Sequence, residues 1–130
     1  MTRSNTNIAN EETSEEFARD SSAIAAQNDL FRSSLGNTPV LNGTLVTTIG
    51  VIARGETFQT KAMHAVAAFS AFDEENDPWA EHDFGAIDIG DQKLFWKIDL
   101  YAPDLKHGSE DPADPRKTHR VLTIMLASEY

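Results

Sequence analysis

The chain has 130 residues and a mass of 14.3 kDa, enough for one domain and too little for a second full one. Its 21 acidic residues outnumber its 11 Lys and Arg residues, and the net charge of −10 argues against direct binding to nucleic acid or to an anionic membrane. Cys is absent, which excludes disulfides and thiolate chemistry, and no apolar run reaches the roughly 20 residues of a membrane span, so we expect a cytoplasmic protein.

The chain opens with a polar stretch. Residues 1–12 carry too few apolar side chains to offset the entropy of ordering them, which predicts a flexible tail before a single domain over residues 13–130. Thr13 and Glu16 have the spacing of a capping box, so a first helix is expected to begin there and to end near Gly36. Its apolar stripe is formed by Phe17, Ile24, Phe31 and Leu35.

A strand and a second helix are expected next. The Asn42-Gly43 dipeptide tolerates the positive φ angles of a two-residue turn and predicts a hairpin or tight bend. The β-branched residues 44–53 predict a strand in which Gly50 marks a bulge or the close approach of another group. From Glu56 the apolar spacing becomes helical, and the buried face is formed by Phe58, Ala62, Val66, Phe69 and Phe72.

Residues 83–102 predict a β-hairpin with Gly90 and Asp91 at its turn. A two-residue loop places Asp88 opposite Lys93 and Trp96 opposite Gly85, so that the indole fills the space left by the missing side chain. The core face of this hairpin is expected to carry Ile87, Ile89, Leu94, Trp96, Ile98 and Leu100.

The remaining residues complete the predicted fold. Residues 103–119 contain three prolines and predict a loop. The apolar run at residues 120–127 is typical of a central strand, with a short helix as the alternative. Together these elements predict an α+β fold, an antiparallel sheet of about three to five strands with two helices packed on one face.

Residues 72–85 are the most unusual segment, because they contain six carboxylates and no Lys or Arg. One interpretation is a solvated helix end and turn whose charges face water. A second is a contact surface for a basic partner, anchored by Trp79, because Trp is enriched at binding hot spots; alternatively Trp79 folds onto the core as a lid. The residues of this candidate partner-binding surface are Asp73, Glu74, Glu75, Asp77, Trp79, Glu81 and Asp83. No spacing typical of a metal site is present, and no cofactor is expected.

The hairpin register suggests a second constellation. It places His82 opposite Asp99 and on the same face as Lys97, where a carboxylate would orient an imidazole for acid–base catalysis. The alternative is a structural hydrogen bond that closes the wide end of the hairpin. The sequence contains no Gly-x-Ser-x-Gly elbow and no Gly-rich phosphate loop to accompany this pair.

Several motifs together resemble a known family. They are QNDLFR at residues 27–32, NDPWAEHDFG at residues 76–85, FWKIDLY at residues 95–101 and RVLTIMLASEY at residues 120–130. Over residues 23–130 the chain resembles the bacterial domain-of-unknown-function family 3768, although Trp79 and Leu100 stand where Tyr is common. The resemblance implies a small soluble protein of alphaproteobacterial type, associated with plasmids or phages and without an assigned activity.

The sequence is compatible with three classes of function. The leading hypothesis is an acidic binding protein with a basic protein partner, and its specific version is an anti-CRISPR-like inhibitor that occupies the nucleic-acid site of a host defence protein. The alternatives are an enzyme that uses His82 and Asp99, and a structural or assembly subunit. The oligomeric state is not predicted.

Overall fold

The computed structural model describes residues 20–130. The predicted tail at residues 1–12 and the predicted helix start at residues 13–16 lie outside the described residues. In chain order the elements are α1 (Ser21–Ser33), β1 (Asn42–Thr47), α2 (Ile49–Ile52), α3 (Glu56–Ala67), β2 (Phe84–Ile89), β3 (Gln92–Tyr101) and β4 (His119–Leu126). Single 3₁₀ turns form at Pro115–Lys117 and Ala127–Glu129. No helix within the described range has the length and apolar character that crossing a membrane requires.

The strands form one sheet in the order β1-β4-β3-β2. Strand β4 pairs in parallel with β1 and antiparallel with β3, so the mostly antiparallel sheet confirms the predicted α+β class. The apolar run that forms β4 is a central strand, as predicted, and the short-helix alternative is wrong. Its Leu122, Ile124 and Leu126 side chains are buried beneath the helices.

The β2–β3 hairpin has the predicted register. Asp88 lies opposite Lys93, and their side chains form an ion pair at 3.3 Å. Gly90 adopts a φ of +64° at the turn, a left-handed conformation that glycine adopts without a steric penalty. A Cβ at Gly85 would lie 2.4 Å from the Trp96 Nε1 atom, so the indole packs directly on the glycine backbone, as the sequence predicts.

The core lies between the sheet and helices α1 and α3. Phe31 from α1 and Val66 from α3 are fully buried against Trp96 of β3 and its neighbours, which confirms the prediction that the helices pack on one face. The opposite face of the sheet carries a small aromatic cluster, in which ring centroids lie 5.2 to 5.9 Å apart. The rings of this cluster belong to Phe84, Phe95 and Tyr130.

Helix α1 ends where the sequence predicts. It begins at Ser21 and not at Thr13, so the predicted start is wrong for this helix: Asp20 caps its first turn, because the carboxylate accepts a hydrogen bond from the Ala23 N–H at 3.1 Å. At the other end Leu35 and Gly36 have φ angles of +53° and +81°, and the Gly36 N–H donates to the Phe31 carbonyl at 2.8 Å. This geometry stops the helix and turns the chain toward β1.

The Asn42-Gly43 dipeptide does not form the expected turn. It begins β1 and pairs there with His119 and Arg120 of β4. Pairing along a whole strand outweighs the local turn preference of two residues. Gly43 is needed for another reason, since a Cβ at this position would lie 2.3 Å from the Phe31 ring. The predicted strand over residues 44–53 is also too long, because β1 ends at Thr47 and the helical turn α2 follows.

Helix α3 begins at Glu56, as predicted, and ends at Ala67. Phe69 and Phe72 of the predicted apolar face lie beyond this end, where both rings pack edge-on against Trp96. The aromatic residues therefore continue the core past the last helical turn and fix the start of the following loop.

The close approach predicted at Gly50 is present, without a bulge. The Glu129 carboxylate accepts hydrogen bonds from the Gly50 N–H at 3.0 Å, the Leu126 N–H at 2.8 Å and the Thr48 hydroxyl at 2.6 Å. These bonds hold the C-terminal turn against α2. They also lower the pKa of Glu129 below its ordinary value of 4.5, since each of them favours the charged form.

The Glu129 contact makes stability depend on pH. Because the pKa of Glu129 is lower in the folded chain than in the unfolded chain, its contribution is complete above the ordinary value of 4.5 and is lost as the pH falls. We expect Glu129→Gln to have a lower Tm than the natural chain at pH 7, with the difference shrinking as the pH falls below 4.5. Thermal unfolding followed by circular dichroism measures this difference, and a gap that stays constant with pH would contradict the assignment.

Candidate functional site

The acidic loop, defined as residues 73–83, connects α3 to β2. Its first half is fixed by its own side chains. The Asp73 carboxylate accepts hydrogen bonds from the N–H groups of Glu75 and Asn76, both at 2.9 Å. The side-chain amide of Asn76 in turn donates a hydrogen bond to the Ala71 carbonyl at 2.8 Å, and its oxygen accepts one from the Asp73 N–H at 3.0 Å. Short Asp and Asn side chains stabilise turns in this way.

The second half of the acidic loop is built around Asp77. This side chain lies inside the loop, with Asp77 only 7% exposed, and accepts hydrogen bonds from the N–H groups of Glu81 at 3.1 Å and His82 at 3.2 Å. Ala80 and His82 have φ angles of +55° and +57°, which side-chain-bearing residues rarely adopt. The buried carboxylate therefore holds a backbone shape that local preference alone would not favour.

Trp79 stands at the outside of this fixed backbone. It is 78% exposed, so the alternative of a lid on the core is wrong. Asp73, Glu74 and Glu75 are exposed in the preceding turn. We call these four residues the Trp79 face. A large aromatic side chain beside several carboxylates, on a backbone that is already ordered, is suited to contact with another molecule.

Two of the predicted partner-binding residues belong to the interior instead. Asp77 and Glu81 are 7% and 4% exposed, which removes them from a contact surface. Glu81 accepts a hydrogen bond from the Ser21 hydroxyl at 3.3 Å, and its backbone carbonyl accepts from the buried Asn28 amide at 2.9 Å. Asp83 is half-buried at the start of the hairpin, where its carbonyl accepts from the Ile98 N–H. These three residues support the loop from below.

The expected pairing of His82 with Asp99 is wrong. The φ of +57° at His82 turns the chain before β2 begins at Phe84, and the imidazole points toward α1. Its Nδ1 atom lies 2.9 Å from the Asp29 carboxylate, and its ring stacks on Phe72 with centroids 3.9 Å apart. Asp99 instead pairs with Lys97 at 2.8 Å and by this hydrogen bond raises the pKa of the Lys97 ammonium.

A buried cation ties this arrangement to the core. The Arg32 guanidinium donates to Asp29 at 3.0 Å and to the Phe69 carbonyl at 3.0 Å, and it lies 5.3 Å from the Phe72 ring centroid. The aromatic ring thus packs near Arg32 and directly against His82. Asp29 and Arg32 were not predicted as part of the site; their spacing of three residues on α1 is the only sequence signal for the ion pair.

Arg120 supports the same helix from the sheet. It is fully buried, and its guanidinium donates to Asn28 at 2.9 Å and to Gln27 at 2.8 Å. Burial among neutral oxygen acceptors lowers the pKa of Arg120 to about 10. Because Asn28 also holds the Glu81 carbonyl, a continuous chain of hydrogen bonds runs from β4 through α1 to the base of the acidic loop.

A separate surface cleft of about 590 Å³ lies in the loop that joins β3 to β4. Its Arg116 and Lys117 side chains pair with Asp114 and Glu110, and the His107 imidazole lies 3.1 Å from the Asp104 carboxylate. Across residues 20–130, no three His, Cys, Asp or Glu side chains are grouped so that they would hold a metal ion. The Trp79 face is therefore the better candidate for a functional site.

Comparison with known protein families finds a match for this chain. A family model described as "Protein of unknown function (DUF3768)" matches residues 47–129, a range that includes the whole acidic loop, the hairpin and β4. No curated protein and no solved structure matches the chain.

Proposed function

Because this chain belongs to the DUF3768 family of proteins of unknown function, we propose its role from its own geometry: it is a binding protein whose Trp79 face contacts a basic protein partner. The observation that carries the proposal is the 78% exposure of Trp79 on a loop that Asp73 and Asp77 hold in place. An ordered loop loses little conformational entropy on binding, so more of the contact energy appears as affinity.

Charge supports the same partner class. Glu74 and Glu75 are exposed in the turn that precedes Trp79 in the chain, and the whole chain carries a net charge of −10. Such a surface attracts a positively charged protein over a distance and raises the rate of association. At the contact itself, Lys or Arg of the partner would pair with the carboxylates, and an Arg would also pack on the face of the indole.

More specifically, we propose that the partner is a nucleic-acid-binding protein of a bacterial cytoplasm. Carboxylates presented by a fixed turn have the charge of phosphates, and an exposed indole offers the stacking surface of a base. A protein with this surface would occupy the nucleic-acid site of a host defence protein, as anti-CRISPR inhibitors do. The enzyme alternative needed His82 against Asp99, so no catalytic role is proposed.

Charge reversal tests the proposal. Affinity capture from a bacterial lysate provides a partner, which is purified and titrated by calorimetry with the natural chain and with Glu74→Lys/Glu75→Lys. Each reversed carboxylate should cost about 1 kcal/mol, so the double variant should bind roughly 30-fold more weakly. Trp79→Ala should lose at least about 2 kcal/mol of binding free energy, which also corresponds to roughly 30-fold.

The matched control is Asp91→Lys/Glu110→Lys, which makes the same change in net charge at exposed positions outside the acidic loop. It should bind within about threefold of the natural chain at physiological salt, where distant charges are screened. Equal affinities for both double variants would refute the proposed face. For the nucleic-acid-binding version, the chain should displace a fluorescent single-stranded oligonucleotide from the partner; simultaneous binding of both would refute it.

A further inference from the structure

Strand β1 lies at one edge of the sheet, and none of the described residues pairs with its outer side. The Thr48 N–H, directly after β1, donates to Ile124 of β4. Backbone groups alternate in direction along a strand, so Gly43, Leu45 and Thr47 direct their N–H and C=O groups away from β4. These three residues therefore present a row of backbone donors and acceptors at the edge.

The chain segment that forms this edge carries no charged side chain, and the Glu129 carboxylate contacts it only beyond the strand, at Thr48 and Gly50. Residues 33–53 include no Asp, Glu, Lys, Arg or His, although a quarter of the chain, 25%, is charged. Natural proteins use charged side chains, bulges or prolines within an exposed edge strand to prevent it from pairing with another chain. The opposite edge follows that rule, because β2 carries Asp88 and is followed by Asp91. The β1 edge does not.

Exposed apolar side chains accompany the open backbone groups. Val46 lies within β1 and is 39% exposed, while Ile49 and Ile52 of α2 are 81% and 50% exposed. Val40, two residues before β1, is also exposed. Apolar side chains grouped along a strand edge mark a surface that another strand can cover.

We propose that this edge pairs with the β1 edge of a second copy of the same chain. The open residues Gly43, Leu45 and Thr47 are spaced evenly about Leu45, so an antiparallel pair with a two-fold axis at Leu45 satisfies all of them. Leu45 would exchange two hydrogen bonds with its counterpart, and each Gly43 would pair with Thr47 of the other copy. The sheet would then continue through both copies.

Electrostatics favours a second copy at this place rather than elsewhere. Two chains that each carry a net charge of −10 repel each other over most of their surfaces. The uncharged stretch at residues 33–53 lets them approach without placing like charges in contact. Added salt should therefore tighten the dimer, because it screens the remaining repulsion between the two copies.

Sedimentation velocity of the full chain tests the inference. The natural chain should change with concentration from a species of 14.3 kDa to one of twice that mass. Val46→Lys/Ile49→Lys places unpaired charges at the edge and should weaken dimerisation by at least roughly 100-fold, although it reduces the net negative charge. Ala86→Lys changes an exposed position of the opposite edge strand, β2. Its dimer dissociation constant should stay within about threefold of that of the natural chain.

Amide hydrogen exchange identifies the contact directly and confirms that the variants are folded. The amides of Gly43, Leu45 and Thr47 should become protected as the concentration rises, while the outward amides of β2 should not. A chain that stays monomeric up to about 1 mM, or a dimer that Val46→Lys/Ile49→Lys leaves intact, would overturn the proposal. Protection of these amides only by the captured partner would overturn it as well and assign the edge to that partner.

Discussion

Gly43→Ala is expected to lower the free energy of unfolding by at least about 3 kcal/mol, a large part of the stability of a domain of this size. A Cβ at this position would lie 2.3 Å from the Phe31 Cζ atom and 2.5 Å from the Arg120 carbonyl oxygen. The ring fills the centre of the contact between α1 and the sheet, and the carbonyl belongs to the central strand. Neither can move without disturbing the core. Chemical denaturation measures the change.

Two variants control for this prediction. Gly108→Ala adds the same methyl group where the nearest neighbouring atom would be 4.0 Å away, and its cost should stay within about 0.5 kcal/mol. Phe31→Leu in the Gly43→Ala background removes the clash with the ring but leaves the clash with the carbonyl, so only part of the stability should return. If Gly43→Ala alone costs less than about 1 kcal/mol, the close packing of α1 on β1 is wrong.

Asp77→Ala is expected to cost about 2 to 3 kcal/mol of stability and to release the acidic loop. It leaves the buried Glu81 N–H and the part-buried His82 N–H without their acceptor. The positive φ angles at Ala80 and His82 then lose the contact that holds them. Amide exchange at residues 81 and 82 should accelerate, and partner affinity should fall roughly tenfold because an unordered loop must be ordered on binding.

Asp77→Asn separates the hydrogen bonds from the charge. One amide oxygen can still accept from both N–H groups, so this variant should keep the loop ordered and lose less than half of the stability that Asp77→Ala loses. Partner affinity should likewise stay within about threefold of the natural chain. If Asp77→Ala releases the loop without weakening the partner, preorganisation of the Trp79 face plays no part in binding.

The elements predicted correctly are those whose signals agree over many residues. The β2–β3 register follows from a turn dipeptide, a charge pair and a Gly–Trp pair that all require the same alignment. The Asn42-Gly43 prediction rests on two residues alone, and the pairing partner that decides their conformation lies more than seventy positions away in β4. At such sites the free energy of tertiary strand pairing exceeds that of the local conformational preference, so pairing decides the structure.

The candidate site also contains features that neighbouring residues predict and features that depend on contacts with distant parts of the chain. The composition of the acidic loop and the place of Trp79 within it are visible in the sequence. The inward orientation of Asp77 and Glu81 is not, since it depends on the fold of the loop and on α1. The sequence pattern predicts a strand that includes His82, but β2 begins only at Phe84 because the positive φ at His82 interrupts the extended backbone.

Acrylamide quenching of tryptophan fluorescence shows whether a bound partner covers Trp79. The chain has two Trp residues, and Trp96 is fully buried while Trp79 is exposed, so a neutral quencher distinguishes them without repulsion from the acidic loop. We expect the exposed emission of Trp79 to be quenched in the free chain and protected when a partner without tryptophan, or with its tryptophans replaced, is bound to saturation. Trp79 emission that stays equally accessible to acrylamide in the saturated complex would contradict the account.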